Sequence, residues 1–260
     1  MIRVWNTVAD WRKRRSGMQG STVGFVPTMG ALHHGHASLV SRCRAENEIA
    51  TASIFVNPSQ FNDPKDLDRY PRTLEADLAL LESLGVDDVL VPGASEMYPL
   101  GYRFRVEENE TSAVMEGVHR PGFFPGVMIV VLKLLNLVRA DRAYFGEKDY
   151  QQLRVITDMT RDFFIGTEIV GCETVREASG LAASSRNALL SPAGRETAAF
   201  LYQALRRAPS VGEAKAMLER EGFRVDYVEE HWGRRFAAAF LEGVRLIDNV
   251  PCEELIMKEA

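Results

Sequence analysis

Residues Thr22–His36 read TVGFVPTMGALHHGH. The first six, Thr22–Pro27, form a short apolar run that reads as a strand, and a helical pattern follows over His36–Asn47. Between them lies a turn holding Gly30, Gly35 and the histidines His33, His34 and His36. A strand running almost directly into a helix is the opening of a β–α–β unit, and the chain repeats the arrangement. Ile49–Val56 (IATASIFV) is a continuous apolar run rich in β-branched residues, as expected of a strand covered on both faces. Leu74–Leu84 has helical periodicity and stops at Gly85, a natural C-terminal cap. Val86–Val91 reads as a strand ended by Pro92-Gly93. Gly126–Arg139 then reads as a helix, Arg142–Phe145 as a strand, Tyr150–Phe163 as a helix and Thr167–Cys172 as a strand. The alternation predicts an α/β fold with a parallel sheet and right-handed crossovers. Ligands bind such sheets at the carboxyl ends of the strands, so chemistry is expected just after Val26, Val56, Phe145 and Cys172.

After about Val175 the texture changes. Ser191–Ala208 and Val211–Glu221 read as helices, Phe223–Val228 as a strand, Arg234–Gly243 as a helix and Val244–Ile247 as a strand. Two domains are expected: residues 1–174, and a smaller α+β domain over residues 175–260 packed at the mouth of the first. With 260 residues, 46% hydrophobic and 26% charged, the chain is long enough to bury a core without disulfides. The net charge of −5 argues against a nucleic-acid partner, so an anionic ligand must be met by local positive groups. The N-terminal stretch MIRVWNTVADWRKRRSG lacks the apolar segment of a signal peptide. Val127–Val138, interrupted by Lys133 and Asn136, reads as a buried helix, so no membrane span is expected. Cys43, Cys172 and Cys252 are odd in number, widely spaced and without a C-x-x-C, which fits a reducing cytoplasm.

Four stretches carry chemistry. Pro27-Thr28-Met29-Gly30-Ala31-Leu32-His33-His34-Gly35-His36 joins a strand to a helix N-terminus, whose free N–H groups and dipole favour phosphate. Gly30 and Gly35 allow close backbone approach. His33 and His36, three apart, share one face and can donate to phosphate oxygens as charge builds on a leaving pyrophosphate. Surface histidines on a turn are the plainer reading, but three of the five histidines in four positions weigh against it. The spacing is not that of a P-loop. Phe55-Val56-Asn57-Pro58-Ser59-Gln60-Phe61 places Asn57 and Gln60, neutral hydrogen-bonding amides suited to hydroxyl and carboxylate oxygens, at a ligand edge. An Asn-Pro turn explains it equally well. Phe145-Gly146-Glu147-Lys148-Asp149-Tyr150-Gln151-Gln152 offers Lys148 to phosphate, Asp149 to ribose hydroxyls and Gln152 to a substrate. The plainer alternative is a solvated charged turn. Gly180-Leu181-Ala182-Ala183-Ser184-Ser185-Arg186-Asn187 has the makings of a mobile loop that closes on phosphates, although serine-rich turns are common.

Taken in order and spacing, these stretches resemble the pantothenate synthetase (pantoate–β-alanine ligase) family. PTMGALHxGH, FVNPxQF, RYPRT (Arg69–Thr73), the RPG–F–GV stretch (Arg120–Val127), KLxNxV (Lys133–Val138), FGEKDxQQL, RE–GLA–SSRN and RLIDN (Arg245–Asn249) cover nearly the whole chain. The resemblance implies a Rossmann-like nucleotidyltransferase domain with HIGH-like and KMSKS-like elements, and a C-terminal lid domain carrying the SSRN loop. It implies an ATP- and Mg2+-dependent ligation in which pantoate becomes an acyl adenylate, releasing pyrophosphate, and β-alanine displaces AMP. It implies that His33 and His36 meet the ATP phosphates. Pro27, Thr28, Met29, Gly30, Gly35, Gly146 and Asp149 would line the nucleotide, and Lys148, Ser184, Ser185 and Arg186 would act on the triphosphate. Asn57, Gln60 and Gln152 would bind the acid. A homodimer is usual in the family.

The sequence departs from the family pattern at three places. Phe123 stands where RPGHF has its histidine, Ile129 where a threonine is usual, and Ser179-Gly180 where Asp-Gly is usual. The second domain is also short between Tyr227 and Arg245. A paralogue joining another small acid and amine, and a nucleotidyltransferase without amide formation, fit the same nucleotide motifs. Amine-dependent release of AMP separates them.

Overall fold

Six parallel strands form one sheet: β1 (Arg3–Trp5), β2 (Val23–Thr28), β3 (Ile49–Ile54), β4 (Asp88–Leu90), β5 (Arg142–Gly146) and β6 (Glu168–Cys172). Their spatial order is β1-β4-β3-β2-β5-β6 in this computed structural model, which describes residues 1–61 and 64–255. From β2 the chain steps to β3 and β4 on one side, and returns to β5 and β6 on the other. The carboxyl ends of β2 and β5 therefore flank the point where the winding reverses, the usual ligand crevice of such sheets. Helices α1 (Val8–Ser16), α2 (His34–Glu46), α3 (Pro64–Arg69), α4 (Leu74–Ser83), α5 (Ala94–Met97), α6 (Glu116–His119), α7 (Phe123–Val138) and α8 (Tyr150–Asp162) fill the connections. The smaller second part holds α9 (Pro192–Ala198), α10 (Phe200–Arg207), α11 (Val211–Arg220) and an antiparallel meander of β7 (Arg224–His231), β8 (Arg234–Leu241) and β9 (Val244–Pro251). Contacts divide the chain into two compact units. One comprises Met1–Glu147 and Gln151–Cys172, the other Lys148–Tyr150 and the chain from Glu173 onward.

The expected α/β sheet and C-terminal α+β part are both present. In the first unit Ala50, Ala52, Val26, Val89 and Tyr144 are buried in one core with Leu81 and Val40 from the covering helices. Gly85 takes the left-handed conformation (φ +78°) that ends α4, and the Val86 N–H closes the turn on Leu81 O at 3.0 Å. α7 is buried along most of its length, as its sequence predicts. Among the described residues no helix is long and apolar enough to cross a membrane. The three cysteines are free thiols, and burial pushes Cys43 up to about 12.

Two sequence expectations are corrected. Arg234–Gly243, expected to be a helix, is strand β8 with its following turn. Its Ala-Ala-Ala centre carries no β signal, but the flanking dipeptides decide it. Trp232-Gly233 (φ 51° and 70°) and Glu242-Gly243 (φ 51° and 77°) have positive φ at both positions, the geometry of two-residue hairpin loops. The strand also brings the buried Arg235 beneath α10, where its Nη1 donates to Leu205 O at 3.0 Å and to Ala208 O, capping that helix. The expected helix Ser191–Ala208 is two helices that break at Ala199.

β1 has no counterpart in the sequence reading. It is three residues long, and a carboxylate holds it in place. Asp88 on β4 is fully buried and accepts from Arg3 Nε (3.0 Å), Trp5 Nε1 (2.8 Å) and Arg14 Nη2 (2.9 Å). Burial alone would raise its pKa, but the hydrogen bonds from Arg14, Trp5 and Arg3 outweigh it and hold the carboxyl below its ordinary value. Such a group adds stability above its unfolded-state pKa, and the contribution is lost as pH falls through the lower folded value. Asp88→Asn is expected to cost about 3 kcal/mol in urea unfolding at pH 7. The wild type should lose that advantage over the variant as the pH is taken below about 3.9.

Candidate active site

The turn from β2 into α2 is built by its own polar groups. Thr28 Oγ1 donates to Ser53 O (2.7 Å) and accepts from the Gly30 N–H (3.2 Å). Gly30 has φ +79°, and a Cβ there would lie 2.9 Å from Asp77 Oδ2, so the position requires glycine. Asp77, buried on α4, accepts from the Ala31 N–H at 2.9 Å and the Leu32 N–H at 2.8 Å. His33 and His36 then close the helix end. His33 Nδ1 accepts from the Gly35 N–H at 3.1 Å, and His36 Nδ1 from the His33 N–H at 3.4 Å. An imidazole that accepts at Nδ1 carries its proton on Nε2 when neutral. Both half-buried rings, 4.1 Å apart between centroids, are thereby set as Nε2–H donors.

Beyond β3, Asn57 is buried and engaged on both sides of its amide. Its Oδ1 accepts from Tyr98 OH (2.8 Å), Ser59 Oγ (2.9 Å) and the Ser59 N–H (3.3 Å). Its Nδ2 donates to Gly126 O and to Gln60 Oε1, both at 3.0 Å. Gln60 Nε2 in turn lies 3.0 Å from Met29 Sδ, joining FVNPSQF to PTMG. Gly126 is a contact glycine: a Cβ there would collide with the Ser59 carbonyl. Burial raises the Tyr98 phenol and lowers Lys133, whose ammonium sits 4.3 Å from the Tyr98 ring centroid and 3.8 Å from that of Tyr102. Phe123 and Ile129 are both buried in α7. The Phe123 ring carries the Arg120 guanidinium at 3.8 Å, and Arg120 Nη2 reaches Gln60 O at 3.4 Å.

At the end of β5, a Cβ on Gly146 would meet nothing within 4 Å, so the backbone there borders open space. The adjacent glutamines have different surroundings. Gln151 is buried and scaffolds the preceding loop through Thr111 O and Val114 O, both 2.8 Å. Gln152 is half-buried on the first turn of α8.

The second unit carries a cationic pocket of its own, lined by Lys148, Ser184, Arg186, Asn187, Arg245 and Asp248 among others. Lys148 is mostly buried, 3.8 Å from the half-exposed Asp149 carboxylate. Asn249 Nδ2 holds Lys148 O at 3.0 Å. Arg176 grips both Asp248 oxygens (2.6 and 2.9 Å) and Gly180 O (3.1 Å), tying the Gly180 turn to β9. Ser184 caps the short 3-10 turn Ser185–Leu189 by accepting from the Arg186 N–H at 3.2 Å. Ser185 is half-buried and Arg186 exposed. Ser179 Oγ accepts from the Leu181 N–H at 3.4 Å, so serine supplies a turn contact of the kind aspartate makes.

Each unit thus gathers its own share of the sequence candidates. Pro27, Thr28, Met29, Gly30, His33, Gly35, His36, Asn57, Gln60, Gly146 and Gln152 lie in the first unit, and Lys148, Asp149, Ser184, Ser185 and Arg186 in the second. Sequence reasoning did not single out Asp77, Tyr98, Arg245 or Asn249. Asp77 and Tyr98 act over 46 and 41 residues, and no local pattern signals such a contact. Arg245 and Asn249 stand at the ends of RLIDN, a stretch whose local reading is only a strand. Among the described residues, no three His, Cys, Asp or Glu side chains converge as a metal cage.

The family model for pantoate–β-alanine ligase matches residues 2–251. Pantothenate synthetase of Bdellovibrio bacteriovorus is 52% identical over 240 residues, covering 92% of this chain and 94% of that protein. Among solved structures, pantoate–β-alanine ligase from Francisella tularensis, complexed with β-γ ATP and β-alanine, aligns with a TM-score of 0.93 at 39% identity, covering 97% of this chain and 98% of that one. Pantothenate synthetase from Thermus thermophilus aligns with a TM-score of 0.87 at 45% identity, covering 96% and 99%.

Asp77→Ala frees the two N–H groups that shape the approach to α2. It is expected to leave the circular dichroism spectrum unchanged and to weaken nucleotide binding by at least about 10-fold in calorimetry, the scale of one lost charged hydrogen bond. Unchanged affinity would remove Asp77 from the site.

Proposed function

The chain belongs to the pantoate–β-alanine ligase family, and on that premise we propose how its residues divide the work of the reaction. The pantoate carboxylate attacks the α-phosphorus of ATP, forming the acyl adenylate and expelling pyrophosphate. The β-alanine amine then attacks the activated carbonyl, and AMP leaves with the formation of pantothenate. No covalent enzyme intermediate is required. Rate enhancement comes from positioning and from donors placed where charge accumulates.

The observation that carries this reading is the His33–His36 pair, held by backbone N–H groups as two Nε2–H donors beside a helix N-terminus. They are proposed to bind the ATP phosphates as negative charge moves onto pyrophosphate. Pro27, Thr28, Met29, Gly30 and Gly35 line the nucleotide along the β2–α2 turn. Gly146 admits nucleotide beside β5, and Asp149 accepts from its ribose. Lys148, Ser184, Ser185 and Arg186 are proposed to act on the triphosphate, with Arg245 adding charge to the same pocket. Gln60 and Gln152 address pantoate, and Asn57 belongs to that subsite through Gln60. What supports pantoate as the acid is that Gln60 and Gln152 stand at the positions that the family pattern gives to it.

Magnesium is proposed to arrive on the ATP phosphates, because Mg2+ typically keeps water and phosphate oxygens as its main ligands. Assembly as a homodimer, work in the cytoplasm and the lid role of the second unit rest on the family alone.

Incubation with Mg-ATP and D-pantoate, with and without β-alanine, tests the reaction by mass spectrometry. Pantothenate and AMP are expected together, and only when all three substrates are present. AMP release that ignores β-alanine would favour a nucleotidyltransferase. His36→Ala and Lys148→Ala should each lower D-pantoate-dependent pyrophosphate release by about 100-fold or more. Full activity in both variants would overturn the site assignment.

A further inference from the structure

The Asn57 amide has one orientation open to it. The Gly126 carbonyl carries no hydrogen, so it must face Nδ2, at 3.0 Å. The Ser59 N–H carries no lone pair, so it must face Oδ1, at 3.3 Å. Turning the amide over would set acceptor against acceptor and donor against donor, each inside a buried cluster. Tyr98 OH, a hydroxyl able to donate or accept, takes the donor role toward Oδ1 at 2.8 Å and so stabilises the orientation that Gly126 and Ser59 impose. Tyr98 is itself pinned, with the Lys133 ammonium against its ring face and Ser59 Oγ 3.0 Å from its hydroxyl.

The consequence passes to Gln60. Asn57 Nδ2 is a donor, so the Gln60 atom 3.0 Å from it must be the acceptor Oε1. Nε2 is then the end turned toward Met29 Sδ. A thioether is a weak acceptor, and an incoming oxygen displaces such a contact at little cost. We propose that Asn57 and Tyr98 are positioning residues that fix the polarity of Gln60, so that it presents N–H donors to the acid and meets an oxygen acceptor there. This rests on the reading that Gln60 addresses the acid. It goes further in assigning the presented atom, the residues that impose it, and a bias against acids that offer a donor at that point. A site whose polar groups are fixed rejects a mismatched ligand strongly, because the mismatch leaves a buried group unpaired.

The test uses the full-length protein labelled with 15N-glutamine. The Gln60 side-chain NH2 signals are identified by their loss in Gln60→Ala. Saturation with D-pantoate is expected to move one of them downfield, as a donor meeting an oxygen anion does. Kinetics supply the second arm. Asn57→Ala should raise the KM for D-pantoate by about 10-fold while the KM for ATP stays within about twofold, the split expected when only acid binding is disturbed. Tyr98→Phe keeps the ring and two of the three Oδ1 donors, so it serves if Asn57→Ala does not fold. It should raise the KM for D-pantoate by about threefold, less than the loss of a whole hydrogen bond. An unchanged KM for D-pantoate in Gln60→Ala would overturn the acid subsite itself. A damaged Gln60→Ala with an NH2 signal that ignores D-pantoate would overturn only the polarity. Equal rises in both KM values, or a silent Tyr98→Phe, would reduce Asn57 and Tyr98 to packing.

Discussion

Much of the turn from β2 into α2 hangs on a single carboxylate. Asp77 takes two successive N–H groups, those of Ala31 and Leu32, and so fixes a stretch in which Gly30 and Ala31 both have positive φ. Without that anchor the chain leaving β2 would have no reason to adopt so rare a pair of conformations. With it, the chain enters α2 at His33, and the imidazoles substitute for missing helix acceptors. Their Nδ1 atoms accept from backbone N–H groups, which fixes the tautomer of each neutral ring. A negative group thus organises the turn proposed to receive phosphate from behind, where it is buried and spent on backbone hydrogen bonds.

The second unit solves a similar problem with opposite charges. Lys148, Arg186 and Arg245 line one pocket, and like charges so gathered need fixed supports. Asp226 takes Arg245 at 2.9 Å, and Asn249 holds the Lys148 backbone. Arg176 neutralises Asp248, so that carboxylate is directed to structure. The contacts converge on β9, and RLIDN is the stretch of chain that delivers them. The motif reads as a plain strand because its work is to hold other residues in place.

How far the sequence disclosed these arrangements depended on the range of each contact. The parallel sheet was legible because buried strands and amphipathic helices leave periodic marks, as in Ile49–Val56 and Leu74–Leu84. The histidine turn was legible because its chemistry is local, with Gly30, His33 and His36 within seven residues. Strand β8 was hidden, since its three central alanines favour helix and the answer lay in the Trp-Gly and Glu-Gly loops on either side. β1 was hidden because it owes its place to Asp88, 85 residues from Arg3. The division of labour between Gln151 and Gln152 was also invisible: two identical neighbours differ only in what the fold packs around them.

The β1–β4 pairing carries a consequence for how the chain comes into being. On a ribosome adding 5–20 residues per second, the partner of the first strand emerges about 4–17 seconds after it. Through that interval Arg3, Trp5 and Arg14 have no Asp88 to bind, and closing so long a loop carries an entropic cost that the edge strand must wait to recover. The antiparallel meander faces no such delay, because each of its strands meets its neighbour across two residues. Pairing at the β1 edge must therefore wait far longer after its strand is made than pairing within the meander does.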